Sequence, residues 1–242
     1  MNETGPDVSV VIPFFNEEDN VPPLIAEILP RLEALDASWE LVLVDDGSRD
    51  ATRERLLAAR TEHGPRLRVV AMKRNSGQSA AFVAGFQAAR GAVVITMDGD
   101  LQIDPDDIGP MLETLRSSGA DMVYGWRRNR RDGFMKRLST KIANGVRNRL
   151  TGESIRDTGC PLKVMKREVV ASFLPFNGMH RFFITLAHLE GFRTVEMPVN
   201  HRPREHGQSK YGVMNRVFRA WRDCLAIRWL QQRRIDPSAD EI

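Results

Sequence analysis

The hydrophobic pattern in the first half of the chain alternates between two kinds of segment. Short, nearly continuous apolar runs indicate strands that are buried on both faces. Between them lie longer segments with helical periodicity, and this alternation predicts an α/β fold with a mostly parallel sheet. The predicted strands cover residues 8–12, 40–44, 67–71, 92–96 and 121–124, and the predicted helices cover residues 21–35, 51–62, 78–89 and 105–117.

The pattern changes after residue 125. Residues 126–150 carry apolar side chains at helical spacing, and residues 212–235 form a second amphipathic stretch that contains Trp221 and Trp229. Basic side chains flank both apolar stripes, which is typical of helices that lie in a membrane interface. The alternative is that each stripe packs on the sheet, as in most surface helices. Residues 236–242 are predicted to form a disordered tail.

Charge is distributed unevenly along the chain. The net charge of +3 hides an acidic half, residues 1–125 with 11 Lys and Arg against 21 Asp and Glu, and a basic half, residues 126–242 with 24 against 11. A basic half predicts an anionic partner, which is a set of phosphates, a lipid surface or a nucleic acid. We rank nucleic acid last and expect none, because the chain contains no recognised nucleic-acid-binding module.

Composition narrows the class of protein further. An apolar content of 42% is sufficient for a large core, and two cysteines fit a reducing cytoplasm better than a disulfide framework. The N-terminal residues lack the basic and apolar regions of a signal peptide. No run of about 18 apolar residues occurs, so no transmembrane helix is expected.

Acidic and amide side chains follow the predicted strands. After the fourth strand come Asp98 and Asp100, separated by Gly99. The carboxyl ends of parallel strands share one edge of a sheet, and two carboxylates there suit Mg²⁺ or Mn²⁺ bound together with a diphosphate. Alone this motif is weak, because acidic residues after a strand often cap a helix, and Asp104-Pro105 has that signature. The other polar loops after strands cover residues 13–18, 45–50 and 75–79.

These loops and two later segments together resemble the inverting family 2 glycosyltransferases, and among them the dolichyl- or polyprenyl-phosphate sugar synthases. The matching segments are residues 10–17, 43–48, 98–102, 157–160 and 202–211. The resemblance implies the GT-A fold, a Rossmann-like, mostly parallel sheet with flanking helices, here followed by C-terminal amphipathic helices.

The resemblance also implies how the chain is divided. A catalytic domain would cover residues 1–211, with a nucleotide-sugar-binding half over 1–125 and an acceptor-side half over 126–211. A basic interfacial helix would follow over 212–235.

Roles for individual residues follow from the same resemblance. The metal ligands would be Asp98, Asp100 and Gln102. The nucleotide sugar would contact Pro13, Phe15, Glu17, Asp45, Asp46, Asn75, Asp98, Arg202 and Lys210. The acceptor phosphate would be bound by Arg127, Arg137 and Arg202. The catalytic residues would be Asp100, Arg127 and Asp157.

Some positions depart from the pattern or admit a second interpretation. Asp157 is the best remaining carboxylate for a base or for acceptor positioning, but an Asp that caps the following turn is at least as good an interpretation. Gly99 stands where relatives usually have alanine, and we expect this change to be harmless. Phe15 replaces a tyrosine and would keep base stacking. The segment 161–163 lacks the aromatic residue that relatives often have, which weakens the choice of acceptor.

The implied reaction is transfer of a hexose from a GDP- or UDP-sugar to a polyprenyl phosphate with inversion, at the cytoplasmic face of a membrane. A lipid phosphate is already an anion, so this chemistry needs charge neutralisation by a metal and by Arg and Lys rather than a strong base. One alternative is a transferase that acts on a sugar or protein hydroxyl. The other is a non-catalytic nucleotide-sugar-binding subunit. Further partners are an anionic membrane surface, and a membrane partner or a second copy of the chain.

Overall fold

The computed structural model describes residues 5–128, 144–203, 213–233 and 235, with the backbone only for residues 213–220. One mixed sheet of seven strands forms the centre of the molecule, in the order β3-β2-β1-β4-β6-β5-β7. All neighbouring strands are parallel except β6, which is antiparallel to both β4 and β5. The strands are β1 (Val8–Phe14), β2 (Trp39–Asp45), β3 (Leu67–Ala71), β4 (Val93–Thr96), β5 (Met122–Arg127), β6 (Lys163–Lys166) and β7 (Thr194–Val199).

The five predicted strands and the mostly parallel sheet are confirmed. The hydrophobic pattern does not predict strands β6 and β7, and the reason is physical. β6 has only four residues with a lysine at each end, and β7 contains Glu196 and Pro198, so neither shows the apolar run of a buried strand. Because strands from both halves of the chain share this sheet, the division into residues 1–125 and 126–211 stays a prediction about function.

Helices cover both faces of the sheet. They are α1 (Val21–Glu33), α2 (Thr52–His63), α3 (Gln78–Ala88), α4 (Ile108–Ser118), α5 (described over residues 144–151), α6 (Arg167–Ala171), α7 (Phe183–Leu189) and α8 (Val213–Arg233). The predicted helix at 105–117 divides into a 3-10 turn, Pro105–Asp107, and α4. Asp104 caps this turn by accepting a hydrogen bond from the backbone N–H of Asp106 at 3.2 Å.

Two hydrophobic cores lie on opposite faces of the sheet, because successive strand residues point in opposite directions. Val10 and Ile12 of β1 face the core formed with α1, α2 and α4. Val11 faces the second core, formed with α3, α6, α7 and α8. Helix α3 approaches the sheet closely at Gly85, where a Cβ atom would lie 2.3 Å from Val11 Cγ1. Phe183 of α7 stacks on Phe173 in this second core, with ring centroids 5.0 Å apart.

The antiparallel direction of β6 determines what reaches the functional edge. Lys163, the first residue of β6, pairs with Thr96 of β4 and with Tyr124 of β5. Its start therefore lies where β4 and β5 end. As a result, the turn that precedes β6 is placed at the same edge as the loops that follow the parallel strands.

Helix α8 buries one face and exposes the opposite one. Cys224 and Ile227 are buried against the second core, and Gln231 Nε2 donates to the carbonyl of Thr151 at 2.9 Å. Trp221 and Trp229 are 48% and 61% exposed, so their stripe does not pack on the sheet. No helix within the described ranges combines the length and apolar character that a membrane crossing requires.

Candidate active site

The loops after β1 and β2 are joined by hydrogen bonds into a single rim. Asn16, with a φ of 50°, accepts a hydrogen bond through Oδ1 from the N–H of Arg49 at 2.8 Å and donates its own N–H to Ser48 Oγ at 3.0 Å. Asparagine tolerates this left-handed conformation better than most residues. The N–H of Glu17 donates to Thr52 Oγ1 at 2.9 Å. The rim is therefore fixed by side-chain contacts across 32 to 35 residues of sequence.

Pro13, Phe15 and Glu17, the predicted contacts of the nucleotide in this rim, are all half-buried at the end of β1. Glu17 accepts a hydrogen bond from Asn20 Nδ2 through Oε2. Asp45 ends β2 and is fully buried. Its Oδ2 lies 2.7 Å from Arg53 Nε. These contacts place the predicted nucleotide residues together, and their contact with a base stays a prediction.

Asp46 connects the rim to the third loop. Its two carboxylate oxygens accept hydrogen bonds from Asn75 Nδ2 at 2.8 Å, from the N–H of Ser76 at 2.7 Å and from the N–H of Gly77 at 2.8 Å. Burial raises the pKa of Asp46, and the two backbone N–H groups oppose that rise. The carboxylate thereby holds the loop that leads into α3.

The carboxylates of Asp98 and Asp100 lie directly after β4. Asp98 Oδ1 accepts a hydrogen bond from Gln78 Nε2 at 2.8 Å, and Asp100 is buried with its Oδ1 3.3 Å from the N–H of Gln102. The described residues contain no group of three or more His, Cys, Asp or Glu side chains that could hold a metal by themselves. Two carboxylates nevertheless fit Mg²⁺ or Mn²⁺, because such ions are usually bound by one or two carboxylates together with substrate phosphates.

Gly99, between these carboxylates, packs against an aromatic ring. A Cβ atom at Gly99 would lie 2.6 Å from Cε1 and 2.8 Å from Cδ1 of Phe14, and Phe14 is itself buried. The ring of Phe14 thus occupies the space that an alanine side chain would need. Glycine at this position is complementary to the phenylalanine at the end of β1.

Arg127 and Asp157, both predicted to act on the acceptor, form a largely buried, bidentate ion pair. Arg127 Nε lies 2.7 Å from Asp157 Oδ2, and Nη2 lies 2.9 Å from Oδ1. The N–H of Gly159 also donates to Asp157 Oδ1 at 3.2 Å. A guanidinium held in this fork geometry has a fixed orientation. Asp157 therefore has the contacts of a residue that positions Arg127 and caps its own turn.

Arg202 lies close to the loop that carries the predicted metal ligands Asp98, Asp100 and Gln102. Its Nη1 is 2.7 Å from Glu27 Oε2, its Nη2 is 2.8 Å from Asp104 Oδ1, and its backbone N–H donates to the carbonyl of Gln102 at 2.8 Å. Burial lowers the pKa of Arg202, but hydrogen bonds and charges from the two carboxylates raise it overall. Its contact with phosphate stays a prediction. Arg137 and Lys210 lie outside the described residues.

The family model for Glycosyl transferase family 2 matches residues 9–174. The chain belongs to glycosyl transferase family 2. A dodecaprenyl-phosphate galacturonate synthase of Rhizobium johnstonii is 39% identical over 234 residues, which are 96% of this chain and 69% of the relative. An undecaprenyl-phosphate 4-deoxy-4-formamido-L-arabinose transferase of Edwardsiella ictaluri is 39% identical over 210 residues, 87% of this chain and 64% of the relative. The chain therefore spans about two thirds of the length of these relatives.

Solved structures confirm the expected GT-A fold. Glucosyl-3-phosphoglycerate synthase from Mycobacterium tuberculosis, in complex with Mn²⁺, uridine diphosphate and glucosyl-3-phosphoglycerate, superposes with a TM-score of 0.71. The two chains are 20% identical, and the match covers 96% of this chain and 82% of that one. The same enzyme with Mg²⁺ and uridine diphosphate gives a TM-score of 0.70 at 22% identity, over 92% and 80% of the two chains. This fold neighbour thus binds either Mn²⁺ or Mg²⁺.

Lys163 lies at the start of β6, on the same edge of the sheet, and the sequence patterns predict no role for it. It is buried, its ammonium group donates a hydrogen bond to the carbonyl of Cys160, and it lies 5.8 Å from the ring centroid of Phe183. Burial lowers the pKa of Lys163, while charges that include Asp98 and Asp157 favour its protonated form. The signal in the sequence is a lone lysine between apolar residues, which is costly to bury without a compensating charge.

The packing of Gly99 on Phe14 predicts a coupled pair of substitutions in this glycosyltransferase. We expect Gly99→Ala to lower the free energy of unfolding by about 1–3 kcal/mol, the usual cost of overpacking. In a Phe14→Leu background the same change should cost less by about 1 kcal/mol, because the obstructing ring is gone. Urea denaturation of the four proteins measures this coupling.

Gly109→Ala is the matched control for this cycle. A Cβ atom at Gly109, in α4, would have only Leu35 within contact distance, at 3.8 Å. The substitution should therefore be neutral or stabilise by up to about 1 kcal/mol through helix propensity. Equal costs of Gly99→Ala in both backgrounds would show that Phe14 does not select the glycine.

Proposed function

We propose that this family 2 glycosyltransferase transfers a sugar from a nucleotide diphosphate to a polyprenyl phosphate with inversion of the anomeric carbon. The observation that carries the proposal is the convergence, at one edge of the sheet, of two carboxylates suited to a divalent metal with a half-buried arginine whose orientation Asp157 fixes. Asp98 and Asp100 would serve the donor diphosphate, and Arg127 would serve the acceptor phosphate. The two relatives, a dodecaprenyl-phosphate galacturonate synthase and an undecaprenyl-phosphate 4-deoxy-4-formamido-L-arabinose transferase, support a lipid phosphate as the acceptor.

The donor half would use the rim and the carboxylates. The nucleoside would lie against the loops after β1 and β2. In open α/β sheets, ligands bind in the crevice beside the loops that follow the carboxyl ends of the strands. Asp98 and Asp100 would hold Mg²⁺ or Mn²⁺, which when bound would neutralise charge on the departing diphosphate. Gln102 is the third predicted ligand, and its place directly after the two carboxylates is compatible with that role.

The acceptor half would need no general base. An oxygen of the lipid phosphate is already anionic, so it attacks the anomeric carbon directly while the bond to the donor phosphate breaks on the opposite side. Arg127 would bind the acceptor phosphate, and its pairing with Asp157 removes much of the ordering cost that a mobile side chain would pay on binding. Lys163 lies buried behind the same edge.

A nucleotide-release assay tests this function. The purified protein would be incubated with Mn²⁺ or Mg²⁺ and a panel of GDP- and UDP-sugars, with and without undecaprenyl phosphate in detergent. Release of nucleotide diphosphate that depends on the lipid phosphate is the expected result. Metal-dependent donor binding without release would contradict the proposal, and it would favour a hydroxyl acceptor or a non-catalytic subunit instead.

Asp157→Asn separates positioning from general-base catalysis. We expect the KM for the lipid phosphate to rise, because Arg127 loses its charged partner, while kcat at saturating acceptor falls by less than about tenfold. Removal of a general base would instead lower kcat by about 10²–10⁴-fold and change the pH profile. Because breaking a buried ion pair is destabilising, the melting temperature of the variant is measured first, and the assay is run well below it.

We further propose that helix α8 attaches the protein to the cytoplasmic face of a membrane. Trp221, Leu225 and Trp229 recur every four residues and form one exposed stripe. Arg222 and Arg228 are exposed on either side of it. Aromatic side chains flanked by arginine suit the interface of an anionic bilayer. The negative potential of a cytoplasmic leaflet would attract the arginines.

Vesicle sedimentation tests this attachment. A Trp221→Glu, Trp229→Glu variant should bind anionic vesicles at least about tenfold more weakly than the unchanged protein, since two large apolar side chains are lost from the interface. Leu57→Glu, Ala58→Glu on the exposed side of α2 adds the same charge elsewhere and should bind normally. Equal binding by both variants would refute the role of the stripe, and it would leave a membrane partner or a second copy as its occupant.

A further inference from the structure

The arrangement of the proposed donor site indicates where the transferred sugar would lie. This step rests on the proposed function. The nucleoside rim follows β1 and β2, and the carboxylates of Asp98 and Asp100 follow β4. A sugar joined to the far phosphate would therefore lie beyond the carboxylates, near the ends of β4 and β6. The start of α3 reaches this region, because Gln78 Nε2 lies 2.8 Å from Asp98 Oδ1.

His180 packs beside this first turn of α3. It belongs to the 3-10 turn Met179–Arg181, and its Nδ1 lies 2.7 Å from Ser79 Oγ. The same hydroxyl oxygen accepts a hydrogen bond from the N–H of Gly178 at 2.9 Å. Ser79 therefore has its own proton available for Nδ1. In the neutral ring, an accepting Nδ1 requires that Nε2 carry the hydrogen.

The surroundings of His180 keep its ring neutral. Burial, together with the positive charges of Arg181 and Lys163, lowers the pKa of His180 to about 3. The imidazole is consequently uncharged at physiological pH and is a poor proton acceptor there. It remains a good hydrogen-bond donor through Nε2, with an orientation fixed by Ser79.

Nε2 of His180 has no hydrogen-bond partner in the part of the chain that the structure describes. His180 is half-buried, so a ligand bound at this edge can reach that N–H group. We infer that His180 donates a hydrogen bond through Nε2 to an oxygen of the transferred sugar, and that Ser79 is the positioning residue that fixes its tautomer. The acceptor is a hydroxyl or carboxylate oxygen of the sugar ring or its substituents.

A comparison of two ligands tests this assignment. The affinities of a nucleotide diphosphate and of the corresponding nucleotide sugar are measured by calorimetry with Mn²⁺, using the donor that the nucleotide-release panel selects. In His180→Phe the Kd for the sugar donor should rise about 5–15-fold, the value of one lost hydrogen bond, while the Kd for the diphosphate changes less than about twofold. His180→Gln, which restores an N–H donor, should recover part of the loss.

Ser79→Ala gives an independent test. Without the Ser79 hydroxyl, both tautomers of His180 become accessible, and only one of them carries a hydrogen on Nε2. The Kd for the nucleotide sugar should therefore rise about 2–5-fold, while the Kd for the diphosphate stays unchanged. His63→Phe, at the far end of α2, and Ser117→Ala, at an exposed position of α4, are the matched controls and should bind both ligands normally. If His180→Phe does not fold, Ser79→Ala carries the comparison.

Several outcomes would overturn the assignment. Equal weakening of both ligands would indicate a structural role for His180, and unchanged donor affinity would exclude a contact with the sugar. In the wild-type protein, the ratio of the Kd for the nucleotide sugar to the Kd for the diphosphate should also stay constant between about pH 5.5 and 8.5, because the His180 ring does not titrate there. A change in this ratio near the ordinary histidine pKa would contradict a neutral ring that donates the hydrogen bond. A wild-type protein that binds neither ligand would instead overturn the proposed function, and this assignment with it.

Discussion

The direction of strand β6 is the constraint on which the rest of the site depends. A purely parallel sheet would bring only the loops that follow its strands to the functional edge. Because β6 runs antiparallel between β4 and β5, its preceding turn comes to that edge as well. This places Asp157 against Arg127 and brings both next to the carboxylates that follow β4. One strand of four residues thus joins the donor side to the acceptor side.

Charge compensation then explains why so many ionisable groups are buried at this edge. Burying a charge is costly unless it is paired or hydrogen-bonded. Asp46 is held by backbone N–H groups, Asp45 by Arg53, and Asp157 by Arg127. These pairings make a rigid polar surface before any ligand arrives. Rigid, pre-oriented charges are what transfer of a sugar from one phosphate group to another would require.

The sequence predicts the donor side better than the acceptor side. Strands β1, β2 and β4 are continuous apolar runs, so the loops that follow them could be assigned to one edge. The pair of Arg127 and Asp157 spans 30 residues and depends on the short strand β6, which has no clear periodicity. His180 and Ser79 are 101 residues apart and meet only through the packing of a turn on α3. Side-chain burial also reveals what periodicity cannot, namely that the Trp221 stripe of α8 faces away from the sheet.

A crystal structure of the protein with Mn²⁺ and a nucleotide diphosphate would show whether the two carboxylates and the rim together form the donor site. We expect the metal to contact Asp98 or Asp100 and the diphosphate, with the nucleoside against the rim formed by the loops after β1 and β2. The second phosphate should then point toward the ends of β4 and β6, with Arg127 still held by Asp157. A nucleotide bound elsewhere, or a metal without contact to either carboxylate, would contradict this assignment of the donor site.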